Sequence, residues 1–192
     1  MSRQVDTLSA RYFEGKYKSD IDPWRFRSSA YECAKYDHTL EALSKPLFDR
    51  GLEVGCSIGV LTKRLAARCR TLTAIDGSQT AVTAAKALSP DNVVFHVGML
   101  PQDFPSGQYD LILLSEVLYY FSQADLEAVA NQCRRALAPG GEIVLCHWLG
   151  QSDYPLSGLE ASTLFGANIV TRVPVRRIFH DDVYRLERFS GC

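Results

Sequence analysis

The chain has almost no net charge: 21 Lys and Arg stand against 22 Asp and Glu, leaving −1 over 192 residues. That balance excludes the general attraction to nucleic acid or anionic membrane that a basic excess provides. No apolar run approaches the ~20 residues needed to cross a bilayer. The N-terminus, with Arg3, Asp6, Arg11, Glu14 and Lys16, lacks the apolar core of a signal peptide, so a cytoplasmic location is expected. None of the six cysteines forms a Cys-x-x-Cys pair, and several sit in apolar runs. They read as small buried hydrophobes in a reducing compartment rather than disulfide partners. His38, His96, His147 and His180 are too scattered for a zinc site, and no metal is expected. Repeats and low-complexity linkers are also missing. Hydrophobic residues make up 46% of the chain, enough for one packed domain and too little sequence for two.

What the chain does have is alternation. Residues 1–50 read as a helical lead-in, with apolar and charged positions at helical spacing from Tyr31 to Leu43. Tyr12, Phe13 and Tyr17, then Trp24 and Phe26, form two aromatic clusters that either pack the lead-in onto the rest or make a lid. From residue 51 to 192 the pattern is α/β. Strands are expected at Leu52–Gly55, Leu72–Ile75, Val93–Val97, Tyr109–Ser115 and Glu142–His147, with helices at Leu61–Arg70 and Gln79–Leu88. Ser122-Gln-Ala-Asp125 has the form of a capping box opening another helix. Arg176–Phe179 and Val183–Phe189 flank a hairpin turn at His180-Asp181-Asp182. Such alternation predicts a doubly wound, mostly parallel sheet, with the terminal hairpin adding one antiparallel strand.

The densest information lies at Gly51-Leu-Glu53-Val-Gly55-Cys56-Ser57-Ile-Gly59, followed by Leu72–Asp76. Strand, glycine-bearing turn, helix and a second strand ending on a carboxylate make the first half of a nucleotide-type site. Glycine lets the backbone approach a ligand, the helix presents free N–H groups, and an acid about 20 residues on can accept both ribose hydroxyls. A dinucleotide fingerprint wants Gly-x-Gly-x-x-Gly, whereas Gly55 and Gly59 are separated by three residues with Ser57 between them. That spacing disfavours a nicotinamide dehydrogenase. Ser57 carries a condition: its turn avoids positive φ, or the residue is strained.

Glu53 ahead of Gly55, Asp76 ending the second strand, Tyr109-Asp110 leading to Ser115-Glu116-Val117, and Leu137-Ala-Pro-Gly-Gly141 occur in a specific order. In these features the chain resembles the class I S-adenosylmethionine-dependent methyltransferases, which implies a seven-stranded Rossmann-like fold. The resemblance implies that the backbone at Gly55, Cys56, Ser57 and Gly59 lies beside the methionine tail, with Glu53 near its amino group. Asp76 would accept the ribose hydroxyls, with Gly77 and Ser78 close by, and Gly98, Met99 and Leu100 would lie against the adenine. Ser115, Glu116 and Val117 complete the cofactor set. Many relatives carry an acid at the Met99 position to bind the adenine amino group; here a backbone N–H is left to read the ring. Cys56 reads as a loop filler, since no partner base accompanies it.

Both ends of the chain narrow the resemblance. Asp22-Pro-Trp24-Arg-Phe26, Ser29, Tyr31-Glu32, Lys35-Tyr36 and Thr39-Leu40, with Cys146-His147-Trp148, Tyr154-Pro-Leu156 and His180 to Arg188, are similar to the rhizobial nodulation protein S family. That likeness implies N-methylation of the non-reducing terminal glucosamine of a de-N-acetylated chitooligosaccharide in Nod-factor synthesis. The acceptor side would then be Trp24, Tyr31, Tyr119, Tyr120, His147 and Trp148, with His147, and Tyr31 beside it, as catalytic candidates. His147 could take a proton near neutral pH, though a histidine ending a strand is also a common structural residue. A monomer acting on a small oligosaccharide, without nucleic acid or membrane insertion, is expected. A methyltransferase for another small nucleophile, and a non-catalytic cofactor-binding module, remain open on sequence alone.

Overall fold

The computed structural model describes residues 3–169, 175–180 and 182–190, the side chains of 175–180 excepted. Helices α1 (Ala10–Ser19) and α2 (Ala30–Glu41) lead in. The sequence β1 (Phe48–Val54), α3 (Val60–Ala66), β2 (Cys69–Asp76), α4 (Gln79–Lys86) and β3 (Val93–Val97) follows. Next come β4 (Tyr109–Ser115), a 3-10 turn at Leu118–Tyr120, α5 (Gln123–Ala136), β5 (Leu137–Trp148), α6 (Gly158–Ile169), β6 (Val175–His180) and β7 (Tyr184–Ser190). Seven strands make one sheet in the order β3-β2-β1-β4-β5-β7-β6. The pairs from β3 through β5 are parallel, and β7 runs antiparallel to both β5 and β6.

The apolar run in β4 serves two cores at once. Alternate side chains leave a strand on opposite faces, so Ile112 and Leu114 enter one cluster with Leu52, Val54, Leu126, Val129 and Phe165. Leu111 and Leu113 enter the other with Phe48, Leu65, Leu72, Tyr36 and Val144. All four β4 leucine and isoleucine side chains are fully buried, each worth roughly 1.5–3 kcal/mol of transfer free energy. A charge at any of them would face helices on one side or the other. This is the reason a central parallel strand has no polar alternation.

Several boundaries differ from the sequence reading. The first crossover helix ends at Ala66 rather than Arg70, because Cys69 already pairs with Phe48 in the sheet. Arg68 fixes that turn by donating to the carbonyls of Leu40, Lys45 and Pro46 at 3.0, 2.5 and 2.8 Å. Strand β5 starts at Leu137, so Pro139-Gly140-Gly141 lies within it instead of preceding it. Half of the box at Ser122 forms, its Oγ accepting from Asp125 N at 3.2 Å, whereas Ser122 N donates to Thr7 Oγ1 at 2.8 Å and Thr7 in turn donates to Asp125.

Helix α6 goes beyond the sequence reading altogether. Its buried face is Gly158, Ala161, Ser162, Phe165 and Ile169, whose small residues dilute the apolar stripe. The legible signal was Ser157-Gly-Leu-Glu160. Glu160 N donates to Ser157 Oγ and Ser157 N donates back to Glu160 Oε2, a reciprocal cap.

The terminal hairpin forms as expected, with Asp181 of its turn outside the described residues. Cys56, Cys69, Cys133 and Cys146 are buried free thiols, Cys33 is an exposed one, and Cys192 lies outside the described residues. No described helix is long and apolar enough to cross a membrane.

Candidate active site

Strand order reverses direction of growth between β1 and β4, and the loops leaving their carboxyl ends diverge to leave a crevice. The crevice opens into a cleft with about 1050 Å³ of space not filled by atoms, part of it open to solvent. The loop after β1 forms one wall. Gly55 has φ 77, and a Cβ there would meet Val117 at 3.3 Å, so the backbone needs glycine. Ser57 has φ 51, which places it in the strained region. Two contacts hold it: its N–H donates to Asp76 Oδ2 at 2.9 Å, and its Oγ accepts from Tyr17 at 2.6 Å. Gly59 serves packing instead. A Cβ there would lie 2.9 Å from the Ala85 Cα, and Gly59 does not line the cleft.

Asp76 closes the same wall from β2. Ser57 N and Ser78 N each donate to one of its oxygens at 2.9 Å. Burial nevertheless outweighs those donors and raises its pKa to about 6. Each oxygen keeps a lone pair for a ligand hydroxyl. Ser78 does not line the cleft; its Oγ caps α4 through Ala81 N and donates to Glu14. Glu53 lines the cleft at 3% exposure, its Oε2 making no hydrogen bond of good geometry although the Thr62 hydroxyl acts on the same carboxyl. Burial pushes its pKa up to about 8. An orphaned buried carboxyl on a ligand wall suits an incoming ammonium. Cys56 also lines the cleft, and burial holds its thiol well above the usual range, which excludes a ready nucleophile.

Gly77, Gly98, Met99 and Leu100 form the next stretch of wall. Gly77 makes room for Met99, since a Cβ there would lie 2.3 Å from the Met99 Sδ. The Met99 N–H itself donates to Asp103 Oδ2 at 2.9 Å, so a backbone N–H that reads the ring must come from another residue. Ring recognition at that residue is left to packing by the thioether.

The lead-in helices roof the cleft. Phe13, Tyr17, Trp24, Phe26 and Tyr36 all line it, with Trp24 and Phe26 stacked at 5.8 Å. Only Trp24 among them was an expected acceptor contact. Glu14 ties α1 to the sheet by accepting from Ser78 Oγ, Thr80 N and Thr80 Oγ1. These hydrogen bonds hold its carboxyl down at about 2.

The far end is built from β4. Ser115, Glu116, Val117, Tyr119 and Tyr120 line the cleft, and Glu116 has φ 54. Its Oε1 accepts from Lys35 at 2.5 Å, and its Oε2 accepts from Tyr119 at 2.8 Å and Trp148 N at 3.0 Å. Lys35, 1% exposed, also donates to Glu32 at 2.9 Å. Burial disfavours the charge on Glu116, yet Lys35 holds its carboxyl below the usual range. Lys35 and Glu32 were not read as site residues. The Tyr31-Glu32 and Lys35-Tyr36 pairs were visible, but nothing local marks an i,i+3 ion pair as buried.

Three expected site residues stand elsewhere. His147 is fully buried, does not line the cleft, and accepts Leu118 N at 3.0 Å and Val117 N at 3.4 Å on Nε2. Those donors occupy the lone pair a base needs, and burial lowers its pKa to about 4. His147 therefore fixes the turn after β4, which corrects its reading as a base. Tyr31 lies outside the cleft and is 37% exposed; partial burial raises its phenol pKa, and Lys35 Nζ sits 5.0 Å from its ring. Trp148 also lies outside and reaches the site only through its backbone N–H to Glu116.

A methyltransferase-domain family model matches residues 52–145, the span from β1 into β5. A crystal structure of a putative methyltransferase from Pseudomonas syringae is 32% identical, covering 84% of this chain and 99% of that one at a TM-score of 0.69. The chain belongs to the class I S-adenosylmethionine-dependent methyltransferases. Among curated proteins, this methyltransferase is 33% identical to nodulation protein S of Rhizobium tropici over 127 residues, 64% of its own length. The match spans 53% of that relative. N-methyltransferase NodS from Bradyrhizobium japonicum WM9, in complex with S-adenosyl-L-homocysteine, shares the fold at a TM-score of 0.81. Identity there is 24%, with 95% of this chain and 97% of that one covered. The cofactor of such a methyltransferase is S-adenosylmethionine, and the cleft fits it: an orphaned acid, a second acid with spare lone pairs, and an apolar stretch stand in sequence along one wall.

Proposed function

We propose that this chain is an S-adenosylmethionine-dependent N-methyltransferase that acts on the amino group of the non-reducing terminal glucosamine of a de-N-acetylated chitooligosaccharide. The likeness to nodulation protein S supports the acceptor class. In this reading Glu53 pairs with the methionine ammonium, Asp76 takes the ribose hydroxyls, and Gly77, Gly98, Met99 and Leu100 hold the adenine. When bound, the cofactor supplies an electrophilic methyl on a sulfonium. Trp24 offers a ring for a sugar, while Tyr119 and Tyr120 line the cleft from a cluster packed on Tyr154. The enzyme works as a cytoplasmic monomer, consistent with a cleft roofed by its own α1 and α2 segments.

The observation that carries nitrogen over oxygen is that, among the described residues, no free base stands at the β4 end of the cleft. Glu116 is ion-paired, His147 is spent on backbone N–H groups, and burial raises the Tyr36 and Tyr119 phenols. A hydroxyl needs its proton removed in the transition state, whereas a neutral amine attacks with its lone pair and releases the proton afterwards to water. Positioning then supplies most of the rate. The test is mass spectrometry of a chitooligosaccharide carrying one free terminal amine after incubation with enzyme and cofactor. A single added methyl on that residue, absent from the fully acetylated control, is expected. Methylation of a hydroxyl in both, or of neither, would overturn the reading.

A further inference from the structure

We infer that Glu116, positioned by Lys35, docks the acceptor's amino group and makes this methyltransferase select amines over hydroxyls. The inference rests on the N-methyltransferase reading and assigns the nitrogen a partner within the chain. Glu116 directly follows β4 and lines the cleft, next to Val117, which stands against the Gly55 turn. Its backbone adopts φ 54, a conformation that a non-glycine residue keeps only when its surroundings enforce it. The enforcing contacts are three hydrogen bonds, from Lys35 to one oxygen and from Tyr119 and Trp148 N to the other. A carboxylate has about four acceptor positions, so Oε1 keeps one for a ligand N–H.

The charge count points the same way. Glu32, Lys35 and Glu116 form one buried chain with two negative groups and one positive, and His147 beside it is neutral. The formal surplus of one negative charge sits in a desolvated setting, where burial raises the Glu32 pKa against the pull of Lys35. Glu32 is 8% exposed, and its Oε2 makes no hydrogen bond of good geometry, although the Tyr36 phenol acts on the same carboxylate. Tyr36 lines the cleft within reach of the fields of Glu32, Glu53 and Glu116. A buried surplus of this kind is relieved by a ligand that carries or develops positive charge.

Methyl transfer to an amine develops that charge. The nitrogen lone pair forms the new N–C bond while the S–C bond breaks and its electrons pass to sulfur, leaving a neutral thioether. The nitrogen becomes positive, and its proton then leaves to water. A fixed carboxylate at the nitrogen favours the transition state over the ground state, which is the requirement for raising a rate. An acceptor hydroxyl gains no such help from an anion that is too weak a base to take its proton.

Three proteins test this: wild type, Glu116→Gln and Glu116→Asp, each titrated with S-adenosylhomocysteine and assayed with matched primary amines and alcohols. Wild type is expected to prefer the amine at least tenfold in kcat/KM. Glu116→Gln is expected to lose at least tenfold in kcat/KM for the amine, with S-adenosylhomocysteine affinity held within threefold. Glu116→Asp, which keeps the charge, recovers part of the preference. If wild type ignores the chitooligosaccharide but keeps its preference for simple amines, the sugar reading falls and this one stands. Unchanged amine turnover in Glu116→Gln, a loss confined to cofactor affinity, or a wild-type preference for alcohols would each overturn it.

Discussion

The two ends of the cleft are assembled in different ways. The cofactor wall is local: Gly55, Ser57 and Asp76 sit at the ends of adjacent strands, and its key hydrogen bonds join residues 2 and 19 positions apart. The acceptor end is made by distant partners, with Lys35 meeting Glu116 across 81 positions and Trp148 meeting it across 32. The strand-end wall meets the lead-in through neutral or single-charge hydrogen bonds, Tyr17 on Ser57 and Glu14 on Ser78 and Thr80. A site made of tertiary ion pairs depends on the lead-in.

The first way to break that contrast is at Lys35. Removing one partner of a buried ion network costs roughly 3–5 kcal/mol, because the remaining charges are left unpaired. Lys35→Met is therefore expected to lower the melting temperature by about 10 °C, at roughly 2–4 °C per kcal/mol for a domain of this size. Lys35→Met with Glu32→Gln should recover part of the loss, since one orphaned charge is gone. A melting temperature unchanged in the single variant would place the trio among loosely held surface pairs.

A smaller effect separates two buried titratable groups by sign. Glu53 has its pKa raised to about 8, so the folded state binds the proton more tightly than the unfolded one. The stability of the ligand-free enzyme then falls as pH rises toward 8. His147, lowered to about 4, contributes the opposite slope, losing stability as pH falls from about 6.5 toward 4. Asp76, raised to about 6, adds to the Glu53 slope only below that value. Between about pH 6.5 and 7.5 Glu53 dominates, with a slope approaching about 1.4 kcal/mol per pH unit; closer to pH 8 the buried thiols of Cys56, Cys69, Cys133 and Cys146, all raised by burial, add a decline of the same sign. Urea denaturation between about pH 6.5 and 7.5 is expected to show the decline in wild type and a clearly shallower one in Glu53→Gln. A decline as steep in Glu53→Gln as in wild type would assign the proton elsewhere.

Legibility in the sequence follows the same division. The β4 run, the Gly55 turn and Asp76 were readable because strand ends and glycines announce themselves within a few residues. Twelve of the expected cofactor residues line the cleft, and Gly59 and Ser78 support it from behind. The acceptor side was misjudged where chemistry was inferred from residue type. His147 has the right pKa in water and the wrong neighbours, and Trp148 contributes a backbone N–H in place of its ring. Phe13, Tyr17 and Phe26 were visible within the two aromatic clusters, but only the folded lead-in, with Tyr17 of α1 held to Ser57, makes them wall. Helix α6 escaped because its buried face is mostly glycine, alanine and serine.

The most direct measurement is a calorimetric titration of wild type and Asp76→Ala with S-adenosylhomocysteine, run beside one with NADH. Loss of hydrogen bonds to a charged acceptor costs roughly 1.5–3 kcal/mol, or about 10- to 100-fold in affinity. Wild type is predicted to bind S-adenosylhomocysteine and to give no heat with NADH, with Asp76→Ala weakened by that factor. Tight uptake of NADH, or an Asp76→Ala protein that binds S-adenosylhomocysteine as well as wild type, would contradict the account.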